Sequence, residues 1–247
     1  MTEPDLERRA RVYAALGEPF RLAIFESLAL ADVASGELGR ALGIPTNLLA
    51  HHLGVLEQAE LIRRVRSEGD RRRTYVRLRL DDPFVAALSC GDGRPNLSSV
   101  PDIRGRLAVS SSPRVVFVCT RNSARSQLAA AAWRRVSDTP ATSAGTHPAG
   151  RVHPRAVTVG RRHGLRLAGT ATARTQDVLR ADDLVVAVCD NAHEEMASAV
   201  AHDRLHWSVP DPVRIDTDDA FEAAYLEITS RVDKLASALR THADQLV

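Results

Sequence analysis

VVFVCTRNSARS, running from Val115 to Ser126, is the stretch whose reading decides the fold. The apolar run Val115–Val118 predicts a buried strand that delivers Cys119 to a loop, and a helix is expected to start at about Ser126. Thr120, Arg121, Asn122, Ser123 and Ala124 lie between Cys119 and Arg125. Five residues are enough for a concave nest whose backbone N–H groups converge on one point. Arg125 completes the nest with a planar fork suited to two oxygens of a tetrahedral oxyanion. The helix N-terminus adds its partial positive charge. The same field is expected to lower the pKa of Cys119 and make it a nucleophilic thiolate. Ser126 donates to that thiolate, and Asn122 holds the loop backbone. The expected oxyanion-binding set is therefore Thr120, Arg121, Asn122, Ser123, Ala124 and Arg125. A buried strand-end thiol is the commonest state of free cysteine. Arg and Ser six and seven residues on, with a distal Asp211-Pro212, tip the balance to the nucleophile.

Working outward, strands and helices alternate after Pro113. Ala141–Ala144 reads as a strand, Pro154–His163 as a helix and Leu184–Cys189 as a second buried strand. Helix Ala192–Val200, strand Leu205–Val209 and the long amphipathic helix Asp218–His242 follow. Strands of β-branched residues separated by helices predict an α/β three-layer domain with a parallel sheet. Upstream, CGDGRPNLSSVPDIRGRLAVSSSP (90–113) is dense in Gly, Ser and Pro and reads as a linker. Before it the pattern is mainly helical: Asp5–Leu16, Phe20–Leu30, Ser35–Leu42 and Pro45–Ala59. The last carries Leu49, Leu53 and Leu56 on one stripe. Two strands, Leu61–Arg66 and Thr74–Leu80, then flank the polar turn SEGDRRR, and the second is expected to alternate in and out. The expected division is residues 1–89, a linker over 90–113, and 114–247.

Two short helices followed by a ribbon with an Arg-rich tip predict a winged helix-turn-helix. The exposed face of the second helix offers Thr46, Asn47, Ala50 and His51 to base edges. Arg71, Arg72 and Arg73 at the ribbon tip suit phosphates or the minor groove. A helix–wing module used only for dimerisation is the competing reading, since Arg-rich tips are often simply solvated.

Composition narrows the classes. The chain has 247 residues, 44% of them apolar, which is enough for compact cores. Its net charge of +2 conceals segments of opposite sign. Leu61–Arg79 holds eight Arg against Glu68 and Asp70, 113–176 holds 11 Arg against Asp138, and 177–247 holds 15 acids against six bases. The longest apolar runs are too short to cross a bilayer, and the start Met-Thr-Glu-Pro-Asp-Leu lacks the pattern of a secretory signal. Cys90, Cys119 and Cys189 are an odd, widely spaced set, which fits a reducing cytoplasm and no disulfide framework. No metal site is expected, because His193-Glu194-Glu195 lacks a second His and the adjacent His51 and His52 point to different sides of a helix.

Two family resemblances sharpen this reading. LGEPFRLAIFESLA with GELGRALGIPTNLLAHHLGVLEQAELI resembles the ArsR family of winged-helix repressors over residues 5–80. The resemblance implies a homodimer, formed through this domain, on double-stranded operator DNA. The cysteine pair of arsenic-sensing members is absent from Asp32–Leu38. Residues 113–242 resemble the low-molecular-weight protein tyrosine phosphatases and the arsenate reductases that share their fold. That match rests on the Cys119 loop, TSAGTHPAG, VHPRAV, ADDLVVAVCDNAHEE and HWSVPDP. It implies that Asp211 is the general acid for a leaving oxygen. Arg121 stands where the family's loop usually has Gly, so it either strains the nest or adds a second cation.

Three functions follow from the resemblance. An arsenate reductase would attack arsenate with Cys119 and need a further thiol to leave arsenite. Cys189 matches one relay cysteine, but Asp190–Pro210 contains no second, so Cys189 is either a redox partner or a core thiol. With no bound cofactor, the reductant is then external. Lys234 is the one lysine, and this Arg-biased, actinobacterium-like composition points to mycothiol with a small redoxin, thioredoxin being the other candidate. A phosphatase would hydrolyse a phosphocysteine instead, yet Val213-Arg214 stands where aromatics usually grip a phenol ring. The third reading is an oxyanion or arsenical sensor governing the DNA-binding domain.

Overall fold

The structure, a computed structural model, describes residues 3–89, 114–167, 172–197 and 204–243. The expected linker over 90–113, with Cys90, and the end of the helix expected to reach Val200 lie outside them. The chain divides into two units, Met1–Arg66 with Arg72–Gly105, and Ser67–Arg71 with Arg106–Val247.

The first unit is built from helices α1 (Glu3–Leu16), α2 (Pro19–Ser27), α3 (Ser35–Leu42), α4 (Thr46–Gln58) and α5 (Pro83–Leu88), with strands β1 (Val33–Ala34), β2 (Ile62–Arg66) and β3 (Thr74–Leu78). Glu18 starts α2 by accepting the Arg21 N–H at 2.9 Å, and Pro19 occupies the first helical position, where its missing N–H costs nothing. The helix expected to reach Leu30 closes at Ser27. Gly43, at φ +63°, closes α3 in the left-handed conformation that glycine adopts freely. Leu49, Leu53 and Leu56 of α4 join Ile24, Phe25, Leu28 and Leu38 in one apolar core. The strands form an antiparallel sheet in the order β1-β3-β2. The expected in-and-out alternation of the second strand fails, because Tyr75, Val76, Arg77 and Leu78 are all buried. β3 is the central strand of the three, paired along both edges, and its successive side chains are buried on both faces. Helix α5 was missed, although Asp82, which accepts the Phe84 N–H at 2.9 Å, and Pro83 are ordinary start signals.

The second unit is an α/β fold on a parallel sheet, as the alternation predicted. Its elements are β4 (Val115–Cys119), α6 (Arg125–Val136), β5 (Ala141–Gly145), α7 (Pro154–Arg162), α8 (Thr175–Val178), β6 (Leu184–Ala187), α9 (Asp190–Ala197), β7 (Arg204–His206), α10 (Pro212–Ile215) and α11 (Asp218–Ala243). The strands are parallel in the order β5-β4-β6-β7. All five residues of β4 are buried, and Phe117 packs against Trp133 and Trp207 with ring centroids 6.0 and 5.8 Å away. Arg114 ties the start of the sheet together through a two-pronged pair with Asp183, at 2.8 and 2.7 Å. Because β4 is flanked by β5 on one side and β6 on the other, the chain order reverses beside it. Open parallel sheets bind ligands at the carboxyl ends of strands at such a reversal, and Cys119 stands there.

Two strand expectations need correction. The strand expected over Leu184–Cys189 ends at Ala187, and its helix begins at Asp190 rather than Ala192, so Cys189 lies just before the helix. The strand expected over Leu205–Val209 is Arg204–His206, because its neighbour β6 offers only Val185, Val186 and Ala187 for pairing.

Candidate active site

The loop after β4 is held by its carbonyls. Thr146 N–H donates to the Cys119 carbonyl at 3.2 Å, His147 N–H to Thr120 at 2.8 Å, Ala149 N–H to Arg121 at 2.8 Å and His153 N–H to Ser123 at 2.8 Å. Four loop carbonyls are thus engaged by the segment following β5, which leaves the N–H groups free to gather on the other side. The Asn122 N–H shows the result, donating to Cys119 Sγ at 3.2 Å. Asn122 adopts φ +48°, a left-handed backbone that Asn tolerates better than most residues, and its side chain is fully buried. Its Nδ2 donates to Ser126 Oγ at 2.9 Å and to Ser143 Oγ at 3.0 Å. Its Oδ1 accepts from Gln127 Nε2 at 3.1 Å and from the Ala173 N–H at 2.9 Å. Arg121, where strain was one of two outcomes, is exposed and is not among the positive-φ residues.

Helix α6 begins at Arg125, one residue before the expected start, and no side chain caps it. Its N-terminus therefore faces the loop, the arrangement that receives anions. Ser126 Oγ lies 3.1 Å from Cys119 Sγ, and both are buried. Arg125 donates from Nη1 to the Val209 carbonyl at 2.8 Å and pairs through Nη2 with Asp211 Oδ2 at 3.2 Å. Burial works against the Arg125 charge, but Cys189, Asp211 and Cys119 around it outweigh burial and push its pKa above the usual value. Asp211 has a second duty, since Oδ1 accepts the Val213 N–H at 3.1 Å and caps α10 ahead of Pro212. Cys119, Asn122, Ser126, Arg125 and Asp211 therefore form one constellation, with Ser123 and Ala124 buried in the loop wall.

Cys189 is buried beside this group, with its sulfur 3.5 Å from Thr120 Oγ1. Burial pushes its thiol pKa up, against the pull of Arg125. Asp190 follows it and accepts from His206 Nε2 at 2.9 Å; burial would raise its pKa, but His206 holds the carboxyl below its usual value. Among the described residues no three His, Cys, Asp or Glu side chains are grouped to hold a metal ion. No helix among them is long and apolar enough to cross a membrane.

The residues expected to contact DNA are not part of this constellation. Thr46, Asn47, Ala50 and His51 are all exposed on α4, whereas His52 is buried. Arg71, Arg72 and Arg73 are exposed between β2 and β3.

Gly145, Ser143, Gln127 and the Val209 carbonyl escaped the sequence reading. A Cβ on Gly145 would lie 2.8 Å from the Thr120 carbonyl oxygen and 3.0 Å from Asn122 N and Cβ, so the loop approaches as closely as it does only over glycine. A glycine closing a β-strand was the visible signal.

The family model for low molecular weight phosphotyrosine protein phosphatase matches residues 114–245. An arsenate reductase of Brevibacillus brevis is 31% identical over 126 residues, covering 49% of this chain and 92% of that protein. An arsenate reductase of Halalkalibacterium halodurans is 29% identical over 125 residues, covering 49% of this chain and 89% of that protein. The crystal structure of an arsenate reductase from Archaeoglobus fulgidus aligns at 28% identity and a TM-score of 0.43, covering 49% of this chain and 98% of that one.

Proposed function

This chain belongs to the low molecular weight phosphotyrosine protein phosphatase family through residues 114–245, and on that basis we propose that it is a thiol-dependent arsenate reductase joined to an ArsR-type DNA-binding regulator. One observation carries the catalytic half: the Cys119 sulfur, its Ser126 and Asn122 donors and the Arg125–Asp211 pair lie together at the end of a parallel strand. Thr120, Arg121, Asn122, Ser123, Ala124 and Arg125 supply the oxyanion nest. Cys119 thiolate attacks arsenic and forms an S–As bond, while Asp211 protonates an arsenate oxygen that leaves as water. An external thiolate then attacks Cys119 sulfur. The new S–S bond forms as the S–As bond breaks, and its electron pair goes to arsenic, which leaves as arsenite. A second thiol frees Cys119 and releases a disulfide.

Two features favour arsenate over a phosphate ester. Val213 and Arg214 follow Asp211-Pro212, so no aromatic side chain stands there to grip a phenol. The two relatives described above carry the name arsenate reductase. Cys189 is buried, which pushes its thiol pKa up, and Asp190–Pro210 holds no second cysteine to complete an internal relay. The reductant is therefore external, mycothiol with a redoxin or else thioredoxin. The phosphatase reading keeps one observation in its favour, since Arg125 and Asp211 equally suit phosphocysteine chemistry. In the sensor reading, motivated by the absence of cysteine from Asp32–Leu38, Cys119 binds without turning over.

For residues 1–89 the proposal is a winged helix that reads operator DNA as a homodimer. The exposed Thr46, Asn47, Ala50 and His51 on α4, with Arg71–Arg73, support it.

Arsenate-dependent NADPH oxidation in a coupled thiol and redoxin assay, run beside p-nitrophenyl phosphate hydrolysis, separates the enzyme readings. The reductase reading expects the first activity to dominate. Ester hydrolysis alone supports the phosphatase, and operator affinity that responds to arsenic without either activity supports the sensor.

A further inference from the structure

Beside the loop lies a cavity of about 600 Å³, lined by Arg121, Ser123, Arg151, His153, Arg155 and Val213, among others. Its volume suits a small molecule rather than a protein segment. Arg121 and Ser123 flank Asn122, whose N–H touches the Cys119 sulfur at 3.2 Å. Arg121 and Ser123 thus place the cavity beside the loop that Cys119 begins.

The charges there are unbalanced. Arg155 is engaged by Asp216, at 3.0 Å, and by Asp218. His153 Nε2 also faces Asp216, at 3.6 Å. Among the described residues neither Arg121 nor Arg151 has a carboxylate partner, and both are exposed. Two unneutralised guanidinium groups in one concavity suit a carboxylate, which each can grip with two parallel N–H bonds. The lining residues include no Phe, Tyr or Trp to hold a ring.

We propose that this cavity is a second anion subsite that seats the carboxylate end of the small thiol reducing the Cys119–arsenic adduct. The inference rests on the reductase reading above and replaces its mycothiol and thioredoxin candidates with a small thiol that bears a carboxylate. The bound thiol's sulfur forms the S–S bond with Cys119, arsenic takes the electron pair of the broken S–As bond, and the thiol proton goes to solvent. The carboxylate stays on Arg121 and Arg151 throughout and supplies orientation only.

The test uses the full chain and two arms. In the first, S-methylglutathione, which has carboxylates and no thiol, is titrated by calorimetry into phosphate-saturated protein. Saturable binding that weakens about tenfold in Arg151→Gln supports the subsite. No binding, or equal binding by both proteins, overturns it. In the second arm, arsenate reduction is followed with glutathione and with 2-mercaptoethanol, which has no carboxylate. The ratio of their kcat/KM values is expected to fall about tenfold in Arg151→Gln. An unchanged ratio, or mycothiol (which lacks a carboxylate) outperforming glutathione in the wild type, contradicts the proposal. Binding in the first arm without turnover by any thiol refutes the reductase reading instead, and leaves the cavity as a carboxylate site.

Discussion

The Ser126 hydroxyl lies 3.1 Å from the Cys119 sulfur and simultaneously accepts a hydrogen bond from Asn122 Nδ2 at 2.9 Å. With Asn122 donating to its oxygen, the Ser126 O–H is directed at the sulfur, where it stabilises negative charge. A hydrogen bond to a charged group contributes about 1.5–3 kcal/mol, which is about ten- to a hundredfold in rate. Ser126→Ala is expected to lower kcat by that factor with KM for the oxyanion little changed, as measured by steady-state turnover. A change confined to KM would remove the assigned role.

Gly145 sets the depth of the loop. Adding a methyl group places Cβ 2.8 Å from the Thr120 carbonyl oxygen, so Gly145→Ala must push the 120–122 backbone away. A displacement of about 1 Å at a catalytic centre costs about a hundredfold. The expected result is a loss of turnover on that scale with the far-ultraviolet dichroism spectrum unchanged. Full activity in the variant would show that the loop does not need this approach.

Asp183 gives the second unit a defined acid sensitivity. Burial raises its pKa, but the two Arg114 bonds and the Arg180 N–H outweigh burial and hold the carboxyl below its ordinary value of 3.8. A depressed folded-state pKa means that this contribution is complete above the unfolded value. It is lost as pH falls through the folded one. Asp183→Asn is expected to destabilise the protein by about 3 kcal/mol at pH 7, because Arg114 keeps its charge without its partner. It should also flatten the fall in stability on the acid side of pH 4, read by urea denaturation at each pH. An unaltered slope would mean that other carboxylates dominate.

The proposed DNA-binding role of residues 1–89 carries its own test. Each phosphate contact contributes about −0.9 to the slope of log K against log salt. Replacing Arg71, Arg72 and Arg73 by Gln is expected to make that slope shallower by about one to three, measured by fluorescence anisotropy on operator DNA. Binding insensitive to salt in the unaltered protein would sink the role of these arginines.

The parallel sheet was legible because short runs rich in β-branched residues, such as VVFVC and LVVAV, favour buried strands and alternate with helical segments. The loop was legible because Cys, Arg and Ser stand at fixed separations within one continuous segment. What escaped depends on contacts between distant segments. A glycine closing a strand signals a close approach, but its neighbours in sequence do not say that Thr120 and Asn122 are what press on Gly145. The cavity beside the loop joins Arg121, Arg151 and Val213 from three separate stretches. Strand ends were misjudged where apolar residues outlast their pairing partners, as at Cys189 and Val209. Apolar periodicity reports burial, and burial continues beyond the last ladder hydrogen bond.

The most direct test of the central claim is speciation of arsenic after purified protein is incubated with arsenate and excess thiol. Stoichiometric conversion to arsenite by the wild type, abolished in Cys119→Ser, is the predicted result. Arsenate recovered unchanged from the wild type, while p-nitrophenyl phosphate is hydrolysed under the same conditions, would contradict it.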